Sequence, residues 1–304
     1  MSNSKSWSLP RRLLNYPVSQ KLLRKVLQLQ YTVVDRKGKV EYPPPRINFN
    51  VLFTSARLST YVRQFSGDEE QHQVRFIAEA AKLDYNSKIL DFGAGLGRHL
   101  LAFKRAGIPF RQLVAWEPNC HASLWLRRLA EGDPRILIAP GASVDSGLNY
   151  VDGFSSIPDG HDESRASNFQ GLYQCANDAK FNCIWSSSVF THMWPKTAKE
   201  TLSCFRTISE HVNSIQINTW LILDDKAKTA LSNGTADRKL PLHVNGIFTY
   251  SADNPLVCTA YSYSDVCLLY QQAGLKIVDI HWGSWRGGVS NGVHYQDIVI
   301  SQPL

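Results

Sequence analysis

Several things are missing from this 304-residue sequence, and each absence narrows the class of protein. No apolar run approaches the roughly 20 residues that a helix needs to cross a bilayer. Lys5, Arg11 and Arg12 stand near the start, but no apolar core with a small-residue cleavage site follows, and Pro17 interrupts the stretch; it does not read as a secretory signal. The six cysteines (Cys120, Cys175, Cys183, Cys204, Cys258, Cys267) include no C-x-x-C pair. Reduced, mostly buried thiols in a cytoplasmic protein are therefore expected, and Asn233-Gly234-Thr235 reads as a turn rather than a glycosylated sequon. No His, Cys and Asp grouping has metal-ligand spacing, and H-x-x-x-H is absent. Internal repeats and low-complexity tracts are absent too.

What is present is a folding composition: 43% hydrophobic and 19% charged residues, which suits a packed domain rather than a disordered chain. The net charge of +7 and pI near 9.1 permit a nucleic-acid or anionic-membrane partner without favouring one, because net charge bears on association and not on fold.

The first acidic residue is Asp35. Before it, Val18, Leu22, Leu23, Val26, Leu27 and Leu29 recur at helical spacing, with Lys21, Arg24 and Lys25 between them. A basic amphipathic helix of this kind packs on its domain or touches a membrane surface weakly. Pro43-Pro44-Pro45 then stiffens the chain. Residues 1–56 read as a basic helical extension with a linker, and 57–304 as the main domain.

Within that domain, Arg57 to Leu83 has a helical pattern, with Val74, Ile77, Ala78 and Ala81 on one face. Strands and helices then alternate: Lys88–Phe92, Arg98–Ala106, Leu113–Glu117, Cys120–Glu131, Arg135–Ala139, Phe181–Trp185, Lys196–Ser209 and Ile215–Leu223. Such alternation implies parallel pairing through right-handed crossovers, hence a Rossmann-like, doubly wound α/β sheet. Near the end, Ser264 is read as capping a helix that stops at Gly274. Lys276–Trp282 and His294–Ser301 then read as a strand pair, making the C-terminal strand antiparallel. Two stretches, about 141–180 and 224–254, are long, polar and outside the alternation. They read as insertions on the substrate side.

The chemistry is written most densely in Asp91-Phe92-Gly93-Ala94-Gly95-Leu96-Gly97-Arg98. A strand ends in an acid, and glycines lead into a helix whose first amides are unpaired, so the backbone can approach a ligand closely. The spacing is G-x-G-x-G rather than the dinucleotide G-x-G-x-x-G. Glu117 ends the next strand, about 20 residues on, where such folds place the acid that accepts ribose hydroxyls. The plain alternative is a strand-turn-helix beside a surface glutamate. Together the two acids and the glycines describe a nucleoside pocket at the carboxyl ends of the strands.

These residues resemble the class I S-adenosylmethionine-dependent methyltransferases, whose first motif is an acid followed by G-x-G-x-G. The stretch Phe181-Asn182-Cys183-Ile184-Trp185-Ser186-Ser187-Ser188-Val189-Phe190-Thr191-His192-Met193 is similar to one found in bacterial glycan and small-molecule methyltransferases. Gln296-Asp297-Ile298-Val299-Ile300 resembles their last strand. The resemblance covers about Asn86 to the C-terminus. It implies S-adenosylmethionine as cofactor, its methionine end held by Asp91 and the backbone of Gly93, Ala94, Gly95 and Gly97. Glu117, Pro118 and Asn119 would serve the ribose and adenine, with Ser186 and Ser187 beside them. Asn182 stands where the family has Asp, one charge fewer near the methionine end.

The resemblance also limits the reaction. The Asn/Asp-Pro-Pro-aromatic motif of base-amine methylation is replaced by Ser186-Ser187-Ser188-Val189, and Cys183 lies mid-strand, where a packing thiol is the simpler reading than a nucleophile. The leading expectation is metal-independent O-methylation of a hydroxyl on a small molecule or glycan. An RNA or protein methyltransferase, a nicotinamide-dependent oxidoreductase and a non-catalytic cofactor-binding module are the alternatives. His192 is the first candidate base, because it follows strand four and imidazole titrates near neutrality; otherwise it caps the next helix or orients a loop. His281 is the second, with Trp282 and Trp285 as an aromatic wall for a sugar or flat ring, or else as core. Arg286 meets an anionic acceptor or is a solvated surface arginine. Tyr61, Arg63 and Phe65 are placed over the cofactor by analogy alone.

Overall fold

Each early strand is short and almost wholly apolar, as a strand covered by helices on both faces must be. A computed structural model describes residues 68, 70–139, 180–209, 211–287 and 294–304. The basic N-terminal helix, Tyr61, Arg63, Phe65 and the 141–179 part of the first insertion lie outside the described residues.

The described chain opens with α1 (Gln71–Ala80), then alternates β1 (Lys88–Phe92), α2 (Arg98–Ala106), β2 (Gln112–Trp116), α3 (Cys120–Ala130) and β3 (Ile136–Ala139). After β4 (Cys183–Ser186) comes a single 3₁₀ turn, Phe190–His192, and then α4 (Pro195–Ile208) and β5 (Ile215–Trp220). The expected strand Ile215–Leu223 breaks at Leu221: β6 (Ile222–Leu223) leaves the sheet and pairs in parallel with β9 (Tyr261–Ser262). The 224–254 stretch is not bare loop. It holds α5 (Asp225–Ser232) and a hairpin of β7 (Leu242–Val244) and β8 (Ile247–Thr249), elements too short for a hydrophobic period to register.

The chain ends with α6 (Tyr263–Gln272), β10 (Leu275–His281), a 3₁₀ turn at Ser284–Arg286 and β11 (Asp297–Pro303). Ser262, not Ser264, caps α6, its hydroxyl accepting the Asp265 amide at 3.1 Å. The Ser264 hydroxyl pairs with that of Ser262 instead.

The main sheet has seven strands in the order β10-β11-β5-β4-β1-β2-β3. β1 to β5 are mutually parallel, whereas β11 runs antiparallel to both β5 and β10. β11 is thus the reversed strand, lying between two that share the common direction. The order turns back at β1 and β4, so their carboxyl ends diverge around a crevice, the place where open α/β sheets bind ligands.

Alternate residues of β1 supply two separate cores. Leu90 and Phe92 face one cluster with Leu202, Phe205 and Tyr270, while Ile89 faces another with Leu100, Phe103 and Leu126. Phe92 stacks on Trp116 at 4.4 Å and meets Phe205 edge-on at 4.9 Å. Burying a side chain of this size contributes about 1.5–3 kcal/mol, so both faces fix the strand ends from which the crevice is built. Cys183, Cys204 and Cys258 are buried thiols and Cys267 is partly exposed. Among the described residues, no helix is long and apolar enough to cross a membrane.

Candidate active site

The three glycines after β1 are there for different reasons. A Cβ on Gly93 would sit 2.5 Å from Val189 Cγ2, and one on Gly97 2.8 Å from both Leu126 Cδ2 and Leu129 Cδ1. Those two positions are small so that the turn can pack on its neighbours. At Gly95 a Cβ would meet nothing nearer than Gly93 O at 4.0 Å; its φ of 55° is needed by the turn, and the space beside it is open. The Gly93 and Ala94 amides both donate to Trp116 O, at 2.8 and 3.0 Å, tying the turn to the end of β2.

Two carboxylates underlie this turn. Glu117 is fully buried: its Oε2 accepts the Gly95 amide at 2.8 Å and its Oε1 the Asn119 amide at 2.9 Å. Asp91 is 2% exposed, and its Oδ2 has no hydrogen-bond partner among the described residues. Burial pushes the Asp91 carboxyl up to about 7, helped by the charge of Glu117, and burial likewise pushes Glu117 up to about 7 against the pull of its two amides. Among the described residues no cation acts on either. The crevice therefore holds two costly buried acids that a cationic ligand with hydroxyl donors would satisfy.

Asn119 also acts as a helix cap, since its side-chain oxygen accepts the Ala122 amide at 3.0 Å in the first turn of α3. Pro118 is partly exposed between these two residues. Asn182 lies at the other end of the sheet from the crevice. It precedes β4, and its Oδ1 accepts the Lys88 amide at 2.7 Å. The expected loss of a charge near the methionine end therefore does not apply, because that side chain pins the start of β1.

A polar floor joins the ends of β4, β5 and β11. Ser186 donates to Asn218 Oδ1 at 2.8 Å, and Asn218 Nδ2 donates to the Tyr270 hydroxyl at 3.1 Å. The Ser188 amide donates to Thr219 Oγ1 at 2.7 Å. The Ser188 and Thr219 hydroxyls both donate to Gln296 Oε1, at 3.1 and 2.6 Å. Ser187 is half-buried in the same turn. Asn218, Thr219 and Gln296 went unnoticed in the sequence. The available signal was Asn218-Thr219 inside an otherwise buried strand, since buried polar side chains require partners.

The histidines separate by the atom each has free. His192 does not cap α4, whose first turn starts at Pro195 behind Trp194. Its Nδ1 lies 2.9 Å from Leu256 O; a carbonyl only accepts, so Nδ1 carries the proton and Nε2 the lone pair. Burial lowers its pKa, which keeps this base-competent tautomer neutral at pH 7. His294 is the reverse case. Its Nδ1 accepts the Gln296 amide at 2.9 Å, so Nε2 holds the proton, and burial lowers the group to about 4. His99, which also went unnoticed, is buried with its Nε2 2.8 Å from Gln73 Oε1.

His281 is not brought to the crevice. It ends β10, four places from β1 in the sheet order, and pairs with Asp279 at 3.0 Å against the Phe76 ring. Trp285 is fully buried and donates to Asp297 Oδ2 at 2.8 Å; Trp282 is partly exposed beneath the Arg286 guanidinium. Arg286 itself is neither solvated nor aimed at a ligand. It is 9% exposed and bonded to Asp224 at 3.1 Å and Ile222 O at 3.0 Å, a staple between the C-terminal strand pair and β6.

No protein-family model matches the chain. Among solved structures, an O-methyltransferase family protein from Burkholderia thailandensis is 12% identical over 94% of this chain and 70% of its own, with a TM-score of 0.50. DesVI from Streptomyces venezuelae is 12% identical over 80% of this chain and 94% of its own, TM-score 0.45. Magnesium protoporphyrin IX methyltransferase (ChlM) from Synechocystis PCC 6803 is 10% identical over 94% and 100%, TM-score 0.44. At such identities the likeness of the first concerns architecture. Together with the strand order and the reversed β11, it gives the chain the fold of the class I S-adenosylmethionine-dependent methyltransferases.

Proposed function

We propose that this protein is an S-adenosylmethionine-dependent methyltransferase, and that its acceptor is a hydroxyl on a small molecule or glycan. The observation that carries the reading is the pair of buried carboxylates, Asp91 and Glu117, at the switch point of the sheet and, among the described residues, unpaired with any cation. Asp91 Oδ2 would take the ammonium of the methionine end, the one group that answers an orphaned buried carboxylate oxygen. Glu117 has two of its roughly four acceptor sites used by backbone amides, leaving others for the ribose hydroxyls. The open side of Gly95 admits a ligand against the backbone.

S-adenosylmethionine supplies a methyl group already activated on a sulfonium. The protein has then to align the acceptor and take its proton. His192 is suited to taking the proton, because the bond to Leu256 O keeps its Nε2 unprotonated. Its lowered pKa maintains that form down to mildly acidic pH.

The first test is calorimetric titration with S-adenosylhomocysteine and, separately, NADH, on the wild type, Asp91→Ala and Glu117→Ala. Micromolar binding of S-adenosylhomocysteine alone, lost in both variants, is the expected result. NADH binding instead would make the protein an oxidoreductase, and binding of neither would remove the reading. Once an acceptor supports turnover, His192→Phe should lower kcat/KM by about 10²–10⁴ with S-adenosylhomocysteine affinity unchanged.

A further inference from the structure

Beyond the cofactor crevice, one buried arginine has an unanswered N–H and sits among groups that the methyltransferase reading does not yet use. Arg238 precedes the β7–β8 hairpin. Its Nε is buried without a hydrogen-bond partner among the described residues, and its guanidinium lies 5.6 Å from the ring centroid of Tyr295. An arginine N–H buried without an acceptor carries a desolvation cost. The other buried arginine of this half of the protein, Arg286, is by contrast bonded to Asp224 and Ile222 O.

The surroundings of Arg238 come from three segments. Tyr295 leads into β11, while Tyr250 and Cys258 belong to the cap formed by residues 224–260. His192 follows β4. The charge of Arg238 acts on all four, and burial is the larger influence on each of them. Hydrogen bonds lock the segments together: the Thr259 amide donates to Thr191 O at 2.8 Å, and Thr259 Oγ1 to Phe190 O at 3.2 Å. The Phe248 amide and carbonyl pair with Ala260 at 2.8 Å each. Gln296, next to Tyr295, reaches Thr191 Oγ1 at 3.5 Å and Ser188 at 3.1 Å, so this corner adjoins the floor of the cofactor crevice.

We infer that Arg238, flanked by Tyr295 and Tyr250 on the His192 side of the crevice, is the anchor for an acceptor that bears a carboxylate on a flat or cyclic body. The inference rests on the methyltransferase reading for its role and deepens it by naming the acceptor class. The chemistry favours a planar oxyanion. The free edge of the guanidinium includes Nε, which with a neighbouring Nη forms the fork that binds a carboxylate through two parallel hydrogen bonds. Two phenol rings beside it suit a flat or ring-shaped partner. With the carboxylate held there, a hydroxyl elsewhere on the same body is brought toward Nε2 of His192. No covalent step occurs at Arg238.

The test uses the full chain saturated with S-adenosylhomocysteine and titrated with benzoate, benzamide and phenyl phosphate. It is followed by calorimetry and by the arginine Nε–H resonances of ¹⁵N-labelled protein, with Arg238 assigned from its loss in Arg238→Lys. Benzoate should bind and shift the Arg238 signal, and benzamide should bind at least tenfold more weakly. Arg238→Gln should weaken benzoate at least tenfold while S-adenosylhomocysteine binds as before. Tighter binding of phenyl phosphate than of benzoate would overturn the carboxylate assignment. Equal binding of benzoate and benzamide, or an unshifted Arg238 signal, would overturn the inference; that comparison uses wild-type protein alone and survives a misfolded variant. Failure of S-adenosylhomocysteine to bind, with benzoate still engaging Arg238, would instead sink the methyltransferase reading and leave an anion site.

Discussion

Replacing Asp91 by Asn should stabilise the ligand-free protein while disabling it. The Asp91 carboxyl is 2% exposed and has no partner at Oδ2 among the described residues. Burial first and the charge of Glu117 second raise it from 3.8 to about 7. At 1.36 kcal/mol per tenfold change in proton affinity, that rise corresponds to about 4 kcal/mol of disfavoured ionisation. Asparagine carries no charge but buries an amide that also lacks partners, at a cost of about 1–3 kcal/mol. The net gain above pH 7 is then about 1–3 kcal/mol. For a domain of this size that is about 3–9 °C in Tm, at 2–4 °C per kcal/mol.

The pH dependence carries the sign. An acid whose folded pKa is raised contributes stability that is complete below its unfolded pKa and is lost as pH rises through the folded value. For Asp91 the loss runs from about pH 4 to about pH 7. The Asn variant should therefore melt near the wild type at pH 5, where Asp91 is mostly protonated, and well above it at pH 8. Scanning calorimetry at pH 5, 6, 7 and 8, without ligand and with S-adenosylhomocysteine, measures both effects. Saturating ligand should raise the wild-type Tm at pH 8 and leave the variant unmoved. A variant that melts lower than wild type at pH 8, or a difference that is constant across pH, would refute the reasoning.

Other substitutions separate packing from chemistry. Gly97→Ala places a Cβ 2.8 Å from Leu126 and Leu129 at a residue with φ of 80°, so a loss of about 1–3 kcal/mol in urea unfolding is expected. Glu117→Ala leaves the Gly95 and Asn119 amides without their acceptor, and should cost about 2–4 kcal/mol in the same assay, at pH 5 as well as at pH 8. Arg286→Ala strips the charge partner from Asp224 and the buried Asp297. It should destabilise by about 3–5 kcal/mol without changing the affinity for S-adenosylhomocysteine in what remains folded.

How far the sequence could be read depended on how local the determinant was. The strands β1 to β5 and the turn at Gly93–Gly97 are specified by neighbours in sequence, through apolar runs, an acid and glycines, and all were legible. Asn182 was misplaced because a motif gives order along a strand but not which end of the sheet a side chain reaches; its partner, the Lys88 amide, is 94 residues away. Arg286 was misread for the same reason, since its partners Asp224 and Ile222 are 62 and 64 residues distant. The floor formed by Ser188, Thr219 and Gln296 spans 108 residues and has no periodic signature. Arg238 is the extreme case. In the sequence it is one basic residue in a polar stretch, and only the folding of residues 224–260 onto Phe190–His192 and Tyr295 buries its Nε without an acceptor. The general lesson is physical. The crevice that holds a cofactor is encoded in one contiguous turn, whereas the surface that selects an acceptor is assembled from β4, the 224–260 cap and the approach to β11. Altering the acceptor preference of this protein should therefore require changes at Arg238, Tyr250 and Tyr295, and leave Asp91, Gly95 and Glu117 untouched.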